Sequence, residues 1–278
     1  MPLRRALTAL LVPLLAASVG AAWNASLALS GRAQVSLAQI HPLRSQAATP
    51  GNTIVSQNWA GYVLPSYATG TSYTSASAEW VVPAVSLPQG ASQAASSSWV
   101  GIGGFCLDAL CSSVDTTLIQ LGTEQDAQAD ATSYYAWYET LPGPARTIHG
   151  FAVHPGDEIA ASLAATPSQG APQVWTLSLT DRTTGQTWST TVRYDSSLAS
   201  AEWIEEAPSA GSLLPLADFG RVPFAPLGTD GTPADLRAAV PIVMEDPSGG
   251  SASVSRPDQN QDGFAVCYGT ATCSPPQN

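Results

Sequence analysis

Short segments in which apolar residues alternate with Ser or Thr recur along the chain from residue 52 onward. Successive side chains of a β-strand point to opposite faces of its sheet, so this period of two predicts half-buried strands. The clearest segments are residues 58–63, 77–82, 97–102, 158–163, 174–179 and 187–192. The run DRTTGQ at 181–186 predicts a hairpin turn between the last two.

The most plausible short helix is at residues 234–239. Residues 234–239 follow Thr232, the predicted N-cap, and Pro233, the predicted first helical position. The rest of the chain predicts an all-β domain, either a sandwich or a barrel. Because no linker interrupts residues 52–278, we expect a single domain there.

The N-terminal residues have the order of a secretory signal peptide. Arg4 and Arg5 precede a mostly apolar run at 6–17, and small residues follow it, which predicts a signal peptide at residues 1–22. An uncleaved membrane anchor is the alternative, but the run is short, and no later segment approaches the ~20 apolar residues that span a bilayer. Residues 23–51 have no firm hydrophobic period and are interpreted as a leader or propeptide. The mature protein is therefore predicted to be secreted, without stable membrane insertion.

The charge balance restricts the class of partner. The chain has no Lys, its Arg count of 10 faces 21 Asp and Glu, and the formal net charge is −11 with a pI near 4.4. Nucleic acids and anionic membranes bind to cationic surfaces, so we expect neither as a partner. The acidic composition fits a protein that works outside the cell in acid.

Four cysteines in an exported chain predict two disulfides. The local pairings Cys106–Cys111 and Cys267–Cys273 are favoured, because each closes a short loop. A metal site built from the four thiolates is the alternative, but neither spacing is that of a zinc knuckle. The run DQNQDG at 258–263 resembles the start of a calcium loop, but Gly269 stands where the bidentate Glu is needed, which favours an ordinary turn. No metal or other cofactor is expected.

Carboxylates and amides carry the chemistry that remains. His41 lies in the predicted leader, His149 and His154 are interpreted as surface loop residues, and no nucleophile elbow is present. If residues 201–206 (AEWIEE) form a strand, Glu202, Ile204 and Glu206 share one face, and Trp203 and Glu205 share the other. A carboxylate on such a face can act as a general base. The alternative is a strand with a solvated acidic edge.

Gln120 lies in a strand predicted at 116–121, and a returning aromatic strand is predicted at 134–138. The polar residues 122–133 between them predict a solvated loop. The local pattern alone favours a Gln120 side chain that faces solvent on a half-exposed strand.

Seven segments, in order along the chain, resemble those of the glutamic peptidases, the eqolisin family of acid endopeptidases. They are QNWAG at 57–61, SWVGIGG at 98–104, LIQLG at 118–122, YAWYE at 135–139, TGQ at 184–186, AEWIEE at 201–206 and PLADFG at 215–220. Each segment is weak evidence alone, whereas seven in the family's order are specific.

The resemblance implies a lectin-like, concanavalin-type antiparallel β-sandwich and a Gln/Glu dyad formed by Gln120 and Glu206. In that dyad Glu206 would act as general base and acid, and Gln120 would position the water and stabilise the oxyanion. Further residues match positions that the family places in or near its substrate-binding cleft: Trp59, Trp99, Glu124, Trp137, Tyr138 and Glu139. The chain departs from the family at Gly103 and Tyr135, where the fungal pattern has Asp.

The function expected from these observations is that of a secreted acid endopeptidase, made as a zymogen. Its expected partner is a protein or peptide substrate, and it is expected to be a monomer. A carbohydrate-binding lectin-like module is one alternative. A glycosidase that uses Glu206 and Glu139 as paired carboxylates is the other.

Overall fold

The computed structural model describes residues 45–46, 53–166, 173–269 and 272–277. All of these described residues belong to one compact unit. Of the predicted signal peptide and leader, only the backbone of residues 45–46 is described, so these two predictions lie almost entirely outside the described residues.

Strands dominate the described residues. They are β1 (Ser45–Gln46), β2 (Ile54–Ser56), β3 (Trp59–Pro65), β4 (Ser75–Val81), β5 (Gln93–Gly103), β6 (Leu118–Gln128), β7 (Ala131–Thr140), β8 (Arg146–Thr147), β9 (Glu158–Thr166), β10 (Val174–Asp181), β11 (Thr187–Arg193), β12 (Ser200–Glu206), β13 (Arg221–Thr229), β14 (Thr232–Pro233), β15 (Val240–Glu245), β16 (Ser251–Val254) and β17 (Phe264–Tyr268). The described helices are α1 at Ser66–Thr69 and one 3-10 helix at Leu236–Ala238.

The strands form two layers. The front sheet has the order β2-β15-β3-β12-β5-β6-β7-β8, and the back sheet has the order β16-β17-β13-β4-β9-β10-β11. Strand β15 joins the layers, because it pairs with both β3 and β16. Except for the parallel β2–β15 pair, these pairings are antiparallel. The prediction of an all-β antiparallel sandwich is confirmed.

The apolar residues form two clusters, one on each face of the front sheet. The larger cluster lies between the sheets and includes Trp203 from β12 and Trp175 from β10. The smaller cluster includes Trp59, Trp99 and Trp137 and lies on the opposite face of the front sheet, called the site face below. Because both faces of β12 are buried, the prediction of a solvated acidic edge is wrong.

The polar run 122–133 is not a loop. Strands β6 and β7 continue through it as a hairpin, in which Gln128 pairs with Ala131, and only residues 129–130 make the turn. Glu124 and Gln125 are fully buried, and β6 is an internal strand of the sheet, between β5 and β7. The prediction of a solvated loop, and with it that of a solvent-facing Gln120, is therefore wrong.

The predicted helix at 234–239 shortens to a 3-10 turn. Asp235 is its N-cap and accepts a hydrogen bond from the backbone of Arg237. Thr232 and Pro233 instead form β14, which pairs with the end of β13 across a tight turn. The two residues predicted to begin the helix, Thr232 and Pro233, are therefore part of a β-hairpin.

Other local predictions are confirmed. Both local disulfides are present, with Cα–Cα distances of 4.8 Å for Cys106–Cys111 and 5.7 Å for Cys267–Cys273. Residues 182–186 connect β10 to β11 as the predicted hairpin turn. His149 and His154 are exposed loop residues.

Candidate active site

The register of five neighbouring strands arranges the side chains of the site face in rows. In the order β3, β12, β5, β6 and β7, the first row is Trp59, Glu206, Ser97, Glu124 and Tyr135. The second row is Gly61, Ile204, Trp99, Gly122 and Trp137. The third row is Val63, Glu202, Gly101, Gln120 and Glu139. The predicted division of β12, with Glu202, Ile204 and Glu206 on one face, is confirmed.

Tryptophan rings fill the space between the polar rows. The rings of Trp59 and Trp99 meet edge to face with centroids 5.1 Å apart. Gly122 makes room for this arrangement, because a Cβ atom there would lie 2.5 Å from the Cβ of Trp99. Trp137 donates its indole N–H to Ser97 at 3.0 Å. The three predicted Trp residues therefore belong both to the apolar cluster and to the frame of the site.

Glu206 is held by two side-chain N–H donors. Trp99 Nε1 donates to one carboxyl oxygen at 2.8 Å, and Asn58 Nδ2 donates to the other at 3.2 Å. Burial raises the pKa of Glu206 well above its usual value, the Trp99 and Asn58 bonds lower it, and the charge of Glu139 raises it further. Asn58 is in turn fixed by the Ser56 hydroxyl, which donates to it at 3.1 Å. Sequence reasoning did not assign Asn58 or Ser56 to the site, although Asn58 lies within the QNWAG segment.

Gln120 and Glu139 are bonded neighbours in the third row. Gln120 Nε2 donates to a Glu139 oxygen at 2.8 Å, and both side chains are fully buried. Burial raises the pKa of Glu139 to about 7, although the bond from Gln120 lowers it. The charge of Glu139 acts on Glu206, and Gln120 is bonded to Glu139. Gln120, Glu139 and Glu206 thus form one electrostatically connected cluster.

Glu124 and Tyr135 are neighbours at the far end of the first row. Burial raises the pKa of Glu124 well above its usual value, and the charges of Asp126 and Glu206 act in the same direction. Burial also raises the pKa of Tyr135, and the charges of Glu124 and Asp126 raise it further. Tyr135 stands where the fungal pattern has Asp, so a neutral phenol lies beside the buried carboxyl of Glu124.

A buried aspartate lies close to the other departure, Gly103. Gly103 has φ +94, and a Cβ atom there would lie 3.0 Å from Asp115 Oδ2. Asp115 is 4% exposed and accepts bonds from the backbone N–H groups of Gly104 at 3.3 Å and Thr117 at 2.9 Å. The backbone carbonyl oxygen of Thr117 lies closer still, so a side chain at 103 has no room, and the Asp115 carboxyl lies beside that position. Sequence reasoning missed Asp115; its only local signal is an Asp two residues before a Thr, typical of an Asx turn.

Tyr138 does not join the other predicted residues. It lies on the opposite face of β7, packs against the cluster between the sheets, and its ring centroid is 5.6 Å from that of Trp188 in β11. The alternation of a strand explains this placement, because Trp137 and Glu139 on either side of it point to the site face.

Among the described residues, no group of three or more His, Cys, Asp or Glu side chains is placed to hold a metal ion. In the run 258–263 the backbone N–H of Asp258 donates to the carbonyl of Gly263, and its side chain accepts from the N–H of Asp262. These are turn contacts, as predicted.

In the part of the chain that the structure describes, no helix has the length and apolar character needed to cross a membrane.

The chain matches a family of peptidases along most of its length. The family model described as the peptidase A4 family matches residues 57–263. The chain belongs to this family. It is 33% identical over 192 residues to aspergillopepsin-2 of Aspergillus niger, a match that covers 62% of this chain and 64% of that protein. It is 34% identical over 179 residues to scytalidopepsin B of Scytalidium lignicola, a match that covers 62% of this chain and 59% of that protein. The chain thus spans less than two thirds of the length of these curated A4 relatives.

Solved structures of A4 peptidases have the same fold. Scytalido-glutamic peptidase with a transition state analog inhibitor superposes with a TM-score of 0.59 at 25% identity, covering 77% of this chain and 98% of that one. Aspergilloglutamic peptidase from Aspergillus niger superposes with a TM-score of 0.50 at 28% identity, covering 63% of this chain and 99% of that one.

If the Gln120 amide stabilises an oxyanion, as the family resemblance implies, replacing Glu139 with Gln should extend proteolytic activity to higher pH. The pKa of Glu139 is about 7, so the parent gains a negative charge beside Gln120 as the pH rises through the neutral range. A negative charge there opposes an oxyanion that develops at the Gln120 amide, whereas the neutral amide introduced by Glu139→Gln would not. The pH profile of kcat, measured beside the exposed control Glu158→Gln, checks this. An unchanged alkaline limb would contradict it.

Proposed function

We propose that this protein is a secreted endopeptidase that hydrolyses peptide bonds in acid by direct attack of water. The observation that carries the proposal is the environment of Glu206, a buried carboxyl held by Trp99 and Asn58 in the cluster that contains Gln120. Membership of the A4 family supports it. So do similar structures described as complexes with a peptide-based transition state analog and with the tripeptide Ala-Ile-His.

Glu206 is the proposed general base. Its carboxylate takes a proton from water as the water oxygen attacks the carbonyl carbon of the substrate. Two N–H donors favour the ionised form of Glu206. These donors oppose the rise in pKa that burial causes, so we propose that the reaction proceeds through the ionised fraction of Glu206.

Gln120 is the proposed stabiliser of the oxyanion. A Gln amide has two N–H donors, and only one is directed at Glu139. The second is available to the negative charge that develops on the former carbonyl oxygen, where preorganised donors are most effective. As the C–N bond breaks, Glu206 returns its proton to the leaving amine. The products are a carboxylic acid and an amine, and both residues are restored.

The processing, substrate class and oligomeric state are proposed from the sequence alone. Residues 1–22 would be removed on secretion and residues 23–51 on activation, which leaves 52–278 as the active domain. The acidic composition, with a formal charge of −11, supports a protein or peptide substrate over nucleic acid. We propose that the active form is a monomer that needs no cofactor.

The test is digestion of a denatured protein from strong acid to neutral pH by the purified chain and by Glu206→Gln. Mass spectrometry would define which residues remain in the active species. We expect acid proteolysis by the parent and a loss of about 10²–10⁴-fold in kcat for Glu206→Gln, because a Gln cannot accept the proton. Glu245→Gln, an exposed position at the end of β15, is the matched control. The proposal fails if the processed parent cleaves no protein at any pH.

A further inference from the structure

Glu202 is a second buried carboxyl of β12 on the site face, and the proposed reaction does not use it. It is fully buried in the third row, between Val63 and Gly101. Neither of its carboxyl oxygens has a hydrogen-bond partner among the described residues. A fully buried polar group without a partner is costly, so its retention requires an explanation.

The position of the Glu202 carboxyl is set by the absence of a side chain at Gly101. A Cβ atom at Gly101 would lie 3.0 Å from Glu202 Oε1 and 2.9 Å from a ring carbon of Trp99. The carboxyl therefore extends over Gly101, from β12 towards β6. The next residue of the same row on β6 is Gln120.

Gln120 presents the complementary group on the other side of Gly101. Its amide nitrogen is bonded to Glu139, whereas its carbonyl oxygen, also buried, has no partner among the described residues. One row thus contains a buried carboxyl without a partner and a buried amide oxygen without a partner, separated only by a glycine.

We propose that Glu202 is a positioning residue, which holds the carbonyl end of the Gln120 amide across Gly101. This inference rests on the proposed peptidase function and assigns to that reaction a residue beyond Gln120 and Glu206. A neutral carboxyl has one O–H donor, and an amide oxygen has two lone pairs. A bond from Glu202 would leave one lone pair for the attacking water. It would also keep the two N–H groups directed at Glu139 and at the oxyanion.

Burial supports the protonation state that this role needs. It raises the pKa of Glu202 well above its usual value, the nearby Ser200 hydroxyl lowers it, and the charge of Asp115 raises it. The Ser200 hydroxyl is not placed to form a hydrogen bond with Glu202. In acid, where the proposed reaction takes place, Glu202 therefore has the proton that it must donate.

The test compares Glu202→Gln with Glu202→Leu. Gln keeps an N–H donor of the same reach, whereas Leu keeps the approximate volume but has no polar atom. We expect Glu202→Leu to lower kcat by about 100-fold, the scale of a small misplacement of a reacting group, with KM changed less than about threefold. Glu202→Gln should retain kcat within about threefold of the parent. Glu205→Gln, equally buried in β12 but on the opposite face, is the control.

Glu202→Asp is the second variant, in case Glu202→Leu does not fold. It keeps the carboxyl but shortens its reach towards Gln120 by one methylene group, and it should lower kcat in the same way. Parent-like kcat in a folded Glu202→Leu protein would overturn the inference. So would equal losses in the Gln and Leu variants that follow only their melting temperatures. An inactive parent is a different result, because it overturns the proposed function itself.

Discussion

Replacing Gln120 with Glu should lower kcat by about 10²–10³-fold, the usual cost of removing one oxyanion-stabilising donor. The substitution is nearly isosteric, so the strand register is expected to survive it. It replaces the amide N–H that donates to Glu139 at 2.8 Å with a carboxyl oxygen. Two carboxyls at that distance share one proton and cannot both ionise. The change also puts an acceptor where the oxyanion needs a donor.

The control for this variant lies on the same strand. Gln128 is exposed at the end of β6, so Gln128→Glu makes the same chemical change away from the site. Steady-state kinetics on one peptide substrate should give parent-like kcat for Gln128→Glu and the loss only for Gln120→Glu. If Gln120→Glu keeps more than a tenth of the parent kcat with the fold intact, the amide is not the oxyanion donor.

The period of two determined what could be predicted about the site. It assigned Glu202 and Glu206 to one face of β12 and Trp203 to the other, and the two apolar clusters confirm this. The same alternation, applied to YAWYE, would have separated Tyr138 from Glu139. The family resemblance identified whole segments of the sequence. Each segment on a strand includes residues that point to both faces of the sheet. Face assignment from the strand period is therefore needed for each residue of a motif.

Burial could not be predicted, since it depends on strands that are distant in sequence. The run containing Glu124 and Asp126 has the composition of a loop, but β5 and β7 enclose it on either side. Glu205 is polar, yet it points between the two sheets, where it accepts a hydrogen bond from Ser98. The hydrogen bond from the backbone N–H of Gly104 to Asp115 likewise depends on how the segment before β6 returns to the end of β5. Such contacts depend on which strands pair and in which register, and the composition of a segment does not reveal either.

The buried carboxyls make the fold itself sensitive to pH. Burial raises the pKa of six of them: Glu124, Asp126, Glu139, Glu202, Glu205 and Glu206. A carboxyl whose pKa is higher in the folded than in the unfolded state binds more protons when folded, so raising the pH favours unfolding. Hydrogen bonds lower the pKa values of Asp108 and Asp235, but Asp108 is only half-buried and Asp235 is exposed, so their opposing contribution is small. The protein should be most stable in acid.

Glu205 provides the sharpest measurement of this effect, because it lies on the face opposite the proposed active site. Burial raises its pKa from 4.5 to about 7, even though bonds from Ser98 and Ser96 lower it. Its contribution to stability is fully present below pH 4.5 and is lost as the pH rises through about 7. A difference of this size corresponds to about 3 kcal/mol in the free energy of unfolding.

Urea unfolding at pH 4 and at pH 8 would measure it. The parent should lose stability between the two values. Glu205→Gln, which stays neutral and can still accept the Ser98 hydroxyl, should lose about 3 kcal/mol less. Glu245→Gln, an exposed carboxyl of β15, should behave like the parent. A parent whose free energy of unfolding is constant or rises from pH 4 to pH 8 would show that these carboxyls are ionised in the folded protein. The neutral states assigned to Glu139 and Glu202 would then be untenable, so this measurement on the core also bears on the chemistry of the opposite face.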